Sequence, residues 1–573
     1  MEYSAKPTVT TTEVGSLSRR IKRVFQQPLM VAALLVIFAI LLIFVVYPVF
    51  TMLRESFLVK GQVSLGNFTR FFSSRYYLYT LYNTLAVSAL VTVGAVLLGL
   101  ILAFTVVRTG LRFKTFFVLI NVLPLITPPF FTAFAFILLF GRQGLFNQLL
   151  YSLFGVRWVI YGWHGVTFAL IITLFPIAFL NLVAALGSLD PRMEEAAEAL
   201  GANFWQVMWR VTLPLLTPSL FSSALLVFMF SISAFGIPAL LGNSGMFWDG
   251  ASMLAPEAFI QILGVNDWGM GTAIAVIMLV PSFALFMFQN WYVRRRSYIT
   301  VTGIPTAFST RPTPKGLSRL FYSISVFLAA FILILYIVIL MGTFTRTWGV
   351  DYSFSMRHVD LMWDRGAASI RNSLMLSLGG ATVASLLGTF IAFMLARWSF
   401  FGNRVVRAVA MLPYALPGLA MGLGFAAGFS TGPLIIAGTA MIILVDYAVR
   451  RMPFSIESST SSLKQVDITL EEAAADMGAN WPVVLRRVTL PLLRPTLVAA
   501  FAFSFIKAMT DITSVIFLVS PRWKLLSVDI YNAISAGKLG MASAMSTVLV
   551  IVVLAVIAVV WKVSGLGIRI FKM

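Results

Sequence analysis

The sequence predicts an all-α polytopic membrane protein of about twelve transmembrane helices, arranged as two parallel six-helix repeats. Three observations carry that expectation. Of 573 residues, 59% are hydrophobic and 11% charged, with a mean hydropathy of +0.93. The apolar residues fall into runs of about twenty, the length of helix that crosses roughly 30 Å of hydrocarbon. A long segment in the first half recurs in the second. A soluble domain with so few charges would have too little polar surface to cover its core, so lipid is the solvent of most of this chain.

The first apolar run, 28–50, follows Arg19, Arg20, Lys22 and Arg23. It is longer than the apolar core of a signal peptide and lacks a small-x-small cleavage site, so it reads as a retained span. Further spans lie near 80–107, 115–140, 164–187, 211–235 and 271–293. Segment 294–317, rich in Pro, Thr, Ser and Gly, reads as a linker. Six more spans follow near 318–342, 370–396, 405–429, 432–449, 495–518 and 543–563. The expected division is a cytoplasmic segment 1–27, a first half 28–293, the cytoplasmic linker 294–317 and a second half 318–573.

A net charge of +21 would suggest nucleic acid as partner in a soluble protein, but here the basic residues sit in short stretches between apolar runs. That is the pattern of membrane orientation, and no nucleic-acid partner is expected. With the N-terminus inside, about two thirds of the 42 Lys and Arg fall on the cytoplasmic side. The outer stretch 236–270 holds neither, but contains Asp249, Glu257 and Asp267. Both termini are expected in the cytoplasm. With no cysteine, the chain forms no disulfide or thiolate metal site, and two histidines leave little for a histidine cage, so no resident metal is expected.

Glu194–Leu220 and Glu471–Leu497 are identical at 17 of 27 positions. Earlier in each half, Asn83-Thr84-Leu85 matches Asn372-Ser373-Leu374, Arg108 matches Arg397, and Pro124 with Pro128 match Pro413 with Pro417. Six spans separate the long repeats, so both emerge on one face and the halves are parallel rather than inverted. Each repeat opens with a short polar helix. Asp190 supplies a cap, Pro191 the first helical position and Gly201 a C-terminal cap; Asp467 and Gly478 do the same in the second half. Such a helix is too polar to span, and two copies on the cytoplasmic face suit a soluble partner.

Glu195-Ala196-Ala197, then Gly201, then Val211-Thr212-Leu213-Pro214 resembles the signature loop of binding-protein-dependent ATP-binding-cassette permeases. Glu472-Ala473-Ala474, Gly478 and Val488-Thr489-Leu490-Pro491 repeat it at the same spacing. The resemblance implies that the helices opened by Glu194 and Glu471 dock into two copies of an ATPase subunit and transmit its closure to the spans. It further implies a periplasmic binding protein that delivers the solute, and residence in a bacterial inner membrane. No G-x-x-x-x-G-K-[ST] phosphate loop occurs, so the chain binds no cofactor of its own and ATP is used by the partner subunits. Ser64–Phe68, Phe235–Gly242, Arg295–Pro305 and Thr513–Pro521 are similar to fused permeases of ferric-iron importers. The same architecture serves 2-aminoethylphosphonate, sugar-phosphate and thiamine uptake. An ion-coupled secondary transporter also has two parallel halves, but would not carry paired polar docking helices.

Lys507 and Asp511 are ionisable groups in an apolar run, where charge is costly and usually faces an internal cavity. Four residues apart, they are expected to share a helix face and neutralise each other, with a place on the translocation path as the functional reading. The first half has Phe230 and Ala234 there, so the pair breaks the repeat. Asp446 and Arg450 have the same spacing. His164, Trp163 and Trp291 read as interfacial residues.

Overall fold

The computed structural model describes residues 28–242, 247–295, 313–398, 400, 402–432 and 434–564. The expected N-terminal segment and most of the expected linker lie outside the described residues. The first half contains α1 (Pro28–Ser56), α2 (Arg75–Arg108), α3 (Lys114–Ile126), α4 (Pro129–Phe140), α5 (Trp163–Gly187), α6 (Pro191–Ala199), α7 (Leu213–Ile232), α8 (Leu254–Phe259) and α9 (Trp268–Arg295). The second contains α10 (Lys315–Phe344), α11 (Arg357–Arg397), α12 (Asn403–Ala415), α13 (Gly418–Ser430), α14 (Ala440–Leu463), α15 (Thr469–Asp476), α16 (Arg494–Met509), α17 (Leu526–Ser535) and α18 (Leu539–Ser564). Each half places a two-stranded hairpin after its first helix: Leu58–Val59 with Gln62–Val63, and Thr345–Thr347 with Asp351–Phe354.

Among the described residues, nine helices are long and apolar enough to cross a membrane, or up to eleven if each of two bent pairs is one span. The expected twelve segments do not all emerge as straight apolar helices: Trp481–Leu492 meets α16 at 75°, and two further reasons apply elsewhere. Pro128 and Pro417 disfavour helical backbone at Thr127 and Leu416, and both residues are extended, with ψ of 160° and 134°. The third span of each half is therefore broken, and α12 meets α13 at 109°. The second reason is composition: α14 carries Asp446, Arg450, Arg451 and Glu457 in 24 residues.

Within each half the most extensive contact is between equivalent helices, α2 with α5 and α11 with α14. Small residues permit the approach. A Cβ on Gly99 would lie 2.8 Å from the Phe179 nitrogen, and one on Gly388 2.6 Å from Ser455 Cβ. Close packing of this kind is what joins helices in lipid, where burial from water adds little between them.

The halves interlock through their first helices. α1 lies on α13 of the second half, where Tyr47 Oη donates to the Gly428 carbonyl at 2.9 Å and Thr51 Oγ1 to that of Gly424 at 3.1 Å. Reciprocally, α10 lies on α4 of the first half. Its Tyr336 Oη is 3.1 Å from Thr127 Oγ1, and Trp348 Nε1, just beyond its end, donates to the Leu138 carbonyl at 3.1 Å. Each half thus anchors its leading helix on the broken span of the other.

Candidate functional site

The two polar helices form as their sequences dictate. Asp190 accepts from the Arg192 N–H at 3.0 Å and Asp467 from the Thr469 N–H at 3.0 Å. That backbone N–H, with the Thr469 hydroxyl, holds the Asp467 carboxyl below its ordinary range. At the other end Gly201 and Gly478 have φ of +87° and +85°. Ala202 N–H reaches the Ala197 carbonyl at 3.0 Å and Ala479 N–H the Ala474 carbonyl at 3.1 Å, which closes a Schellman cap on each helix.

A Cβ on either glycine would meet nothing within 4 Å, so the constraint is conformational rather than steric. Gly201→Val with Gly478→Val is therefore expected to cost about 1 kcal/mol or more per cap. Asn, which tolerates the left-handed region, is expected to retain most of the function. Uptake assays on the Val and Asn double variants, normalised to protein in the membrane, check this ordering.

The paired acidic residues divide their labour. Glu194 and Glu471 are buried, at 7% and 9% exposure, whereas Glu195 and Glu472 are exposed. Glu194 Oε1 lies 3.0 Å from Arg108 Nη2 and accepts from Thr212 Oγ1 at 2.8 Å. Glu471 Oε2 lies 3.0 Å from Arg397 Nε, and its Oε1 accepts from Arg397 Nη2 at 3.2 Å and from Thr489 Oγ1 at 3.1 Å. Each polar helix is thereby tied to the end of α2 or α11 and to the threonine of the Val-Thr-Leu-Pro segment. The repeat pairs Arg108 with Arg397 by position, but sequence alone does not join either to its acid. The signal was present, since an Arg, a Glu and a Thr recur together in both repeats.

Leu213-Pro214 and Leu490-Pro491 each follow a π-helical turn, Met208–Thr212 and Leu485–Thr489. The N–H groups of Leu213 and Leu490 bond to the carbonyls of Met208 and Leu485, five residues back. This wider turn lets the chain enter the next helix although proline offers no N–H. The outward face of this region is apolar for so polar a segment. Met193, Leu200, Trp205, Ile468, Leu470 and Met477 are all exposed, Leu200 at 89% and Met477 at 83%.

The motif Asn83-Thr84, and its copy Asn372-Ser373, has a structural role at the opposite end. Thr84 Oγ1 accepts from the Leu254 N–H at 2.8 Å and Ser373 Oγ from the Leu526 N–H at 2.7 Å. Asn83 Nδ2 donates to the Ala251 carbonyl at 3.0 Å and Asn372 Nδ2 to that of Arg522 at 3.2 Å. These bonds pin α8 and α17, segments read from the sequence only as connections. Five residues after each pinned leucine stand Phe259 and Tyr531, whose rings lie 6.3 Å apart edge to face across the two halves. Phe235 lies 5.1 Å from Phe259 and 5.7 Å from Tyr531, and Phe517 6.0 Å from Phe259, so four rings meet on the line between the halves.

The expected Lys507–Asp511 pair is not formed. α16 ends at Met509, so the four-residue spacing no longer places the two side chains on one helix face. Asp511 is instead ion-paired with Arg450 and Arg451, and its Oδ1 accepts from Thr513 N and Oγ1, both at 2.9 Å. Ser514 bridges the network, accepting from Arg450 Nη1 at 2.6 Å and donating to Asp446 Oδ2 at 2.6 Å. The expected Asp446–Arg450 proximity is thus mediated by a hydroxyl. Lys507 Nζ donates across the halves to the Leu125 carbonyl at 3.0 Å, one of the unpaired carbonyls at the broken end of α3. His164 Nε2 lies 2.6 Å from the Val159 carbonyl, and Trp163 and Trp291 are exposed.

The family described as "Binding-protein-dependent transport system inner membrane component" matches residues 95–298 and 384–563, once in each half. The chain belongs to this family. It is a fused, two-half permease of an ABC importer, a multi-pass transport subunit rather than an ATPase. It is 29% identical over 549 residues to the ferric transport system permease protein FbpB of Actinobacillus pleuropneumoniae, covering 94% of this chain and 79% of that protein. It is 30% identical over 522 residues to a putative ferric transport system permease protein, FbpB 1, of Haemophilus influenzae, covering 89% and 81%. A putative 2-aminoethylphosphonate transport system permease protein, PhnV, of Salmonella paratyphi A is 29% identical over 245 residues, covering 42% of this chain and 92% of that protein.

Proposed function

We propose that this permease imports ferric iron delivered by a periplasmic binding protein, driven by two copies of an ATPase subunit that dock on α6 and α15. The observation that supports the substrate is the similarity across both halves to two fused ferric permeases, over 94% and 89% of this chain; the aminoethylphosphonate permease, matched over 92% of its own length, aligns with a single stretch of 42% of this chain. The docking assignment is supported by the duplicated capped helices, their exposed apolar residues and their internal ties to Arg108 and Arg397. In this reading α6 and α15 face the cytoplasm with both termini, and the pinned segments α8 and α17 face the periplasm. The rings of Phe235, Phe259, Phe517 and Tyr531 then close the path on the outer side and part when the two halves rock. Glu194 and Glu471 carry the ATPase motion into α2 and α11. Lys507 belongs to the path because it joins the halves at the break in the third span of the first half, and Asp511 is linked to it through Arg451, whose Nη2 also donates to the Lys507 carbonyl at 3.1 Å.

The test is reconstitution with the cognate ATPase and binding protein in a lipid bilayer. ATP hydrolysis is expected to rise severalfold with the Fe(III)-loaded binding protein and to stay basal with the empty one. Stimulation by a 2-aminoethylphosphonate-loaded binding protein, and not by an iron-loaded one, would reassign the substrate while leaving the permease architecture intact.

A further inference from the structure

Between the ends of the second-half spans that lie beside α15 is a cavity of about 180 Å³ lined by Leu395, Ala396, Arg397, Arg407, Thr460, Leu463 and Lys464. Three cations and a hydroxyl converge on it. Arg397 is committed to Glu471, and Arg407 lies 3.4 Å from Glu457, with both side chains about half exposed, a pairing that contributes little. Lys464 follows the last residue of α14 and is exposed. The apolar part of the lining comes from the last turns of α11 and α14, so the cavity combines a cationic group with an apolar wall at a membrane boundary.

The repeat shows that this basic lining is not demanded by the fold. The first-half positions equivalent to Arg407, Thr460 and Lys464 are Val118, Val183 and Gly187. The remaining equivalents of the lining, Val106, Val107 and Leu186, are apolar as well, so beside Arg108 the first half offers no further cation there. Arg108 and Arg397, which serve the docking helices, are kept in both halves; the extra cations occur in one. A basic pocket between helix ends at the positively charged face of a membrane protein fits the phosphate of an anionic phospholipid. Its guanidinium and ammonium groups donate charge-assisted bonds to phosphate oxygens, and Leu395, Ala396 and Leu463 border the start of the acyl chains.

We infer that Arg407 and Lys464, beside Arg397, form a binding site for the phosphate headgroup of an anionic phospholipid in the leaflet that holds α15. The leaflet assignment rests on the sidedness proposed above, but the site itself does not, since lipid retention is measured independently of ATPase docking. The experiment is native mass spectrometry of the full-length permease, titrated with phosphatidylglycerol in a phosphatidylcholine background. Arg407→Gln with Lys464→Gln is expected to lower phosphatidylglycerol retention roughly twentyfold, the effect of two cations near a lipid phosphate. Arg112→Gln with Arg404→Gln removes the same charge from exposed positions outside the cavity, where solvent and salt screen it, and is expected to change retention several times less. Arg407→Lys with Lys464→Arg, which keeps both charges, is expected to retain the lipid and guards against loss of fold in the first variant. Equal losses in the two glutamine variants would overturn the site. Displacement of the lipid by millimolar inorganic phosphate would reassign the pocket to a free anion and overturn the lipid proposal.

Discussion

Asp511→Ala is expected to destabilise the protein by about 3–5 kcal/mol, because it removes the carboxylate paired with both buried guanidiniums and leaves Arg450 and Arg451 to share Asp446, which reaches Arg450 only through Ser514. The side chains concerned are 4% exposed for Asp511 and 11% and 15% for the two arginines, so solvent does little to screen the loss. Lys507→Met is expected to be milder. It removes one charged hydrogen bond to a carbonyl, but it also relieves the burial of a cation, and the two effects oppose each other. Because Lys507 and Asp511 have different partners, adding Lys507→Met to Asp511→Ala is expected to rescue nothing. Thermal unfolding of the four proteins in detergent gives the coupling energy, expected near zero. A double variant more stable than Asp511→Ala alone would restore the direct pair expected from spacing.

The second large effect concerns the ties between the polar helices and the spans. Arg108→Met with Arg397→Met leaves Glu194 and Glu471 buried without a cation, at a cost of about 3–5 kcal/mol on each side if both stay ionised. The helices are then expected to detach from α2 and α11 while the spans, which pack through other faces, remain inserted. The expected phenotype is a protein present in the membrane, with reduced ATPase recovery and no uptake. Adding Glu194→Gln and Glu471→Gln neutralises the stranded acids and is expected to recover stability without recovering transport, since the mechanical link is still missing. Recovery of transport in that quadruple variant would show that the ion pairs hold structure only.

The spans were legible in the sequence because lipid forces long apolar runs, and the caps because Asp, Pro and Gly act locally. The broken third spans were written in Pro124, Pro128, Pro413 and Pro417, but as equivalences rather than as bends. α14 was placed too early, near 432–449 against Ala440–Leu463, since its polar second half pulled the apolar window toward its start. The partners of Asp511 were not legible. They lie 60 and 61 residues away, and the helical spacing that suggested Lys507 assumes a helix that in fact stops at Met509. The pinned segments α8 and α17 were hidden for a related reason: short helices of 6 and 10 residues between spans give no periodic signal.

The docking of ATPase subunits on α6 and α15 is tested most directly by cross-linking. The chain has no cysteine, so single cysteines at Leu200 and Met477, the most exposed apolar positions of the two caps, report without background. With the cognate ATPase co-expressed, both positions are expected to cross-link to that subunit, and both are expected to resist an impermeant thiol reagent applied to intact cells. Labelling of either position from outside, or no ATPase adduct at either, would contradict the account.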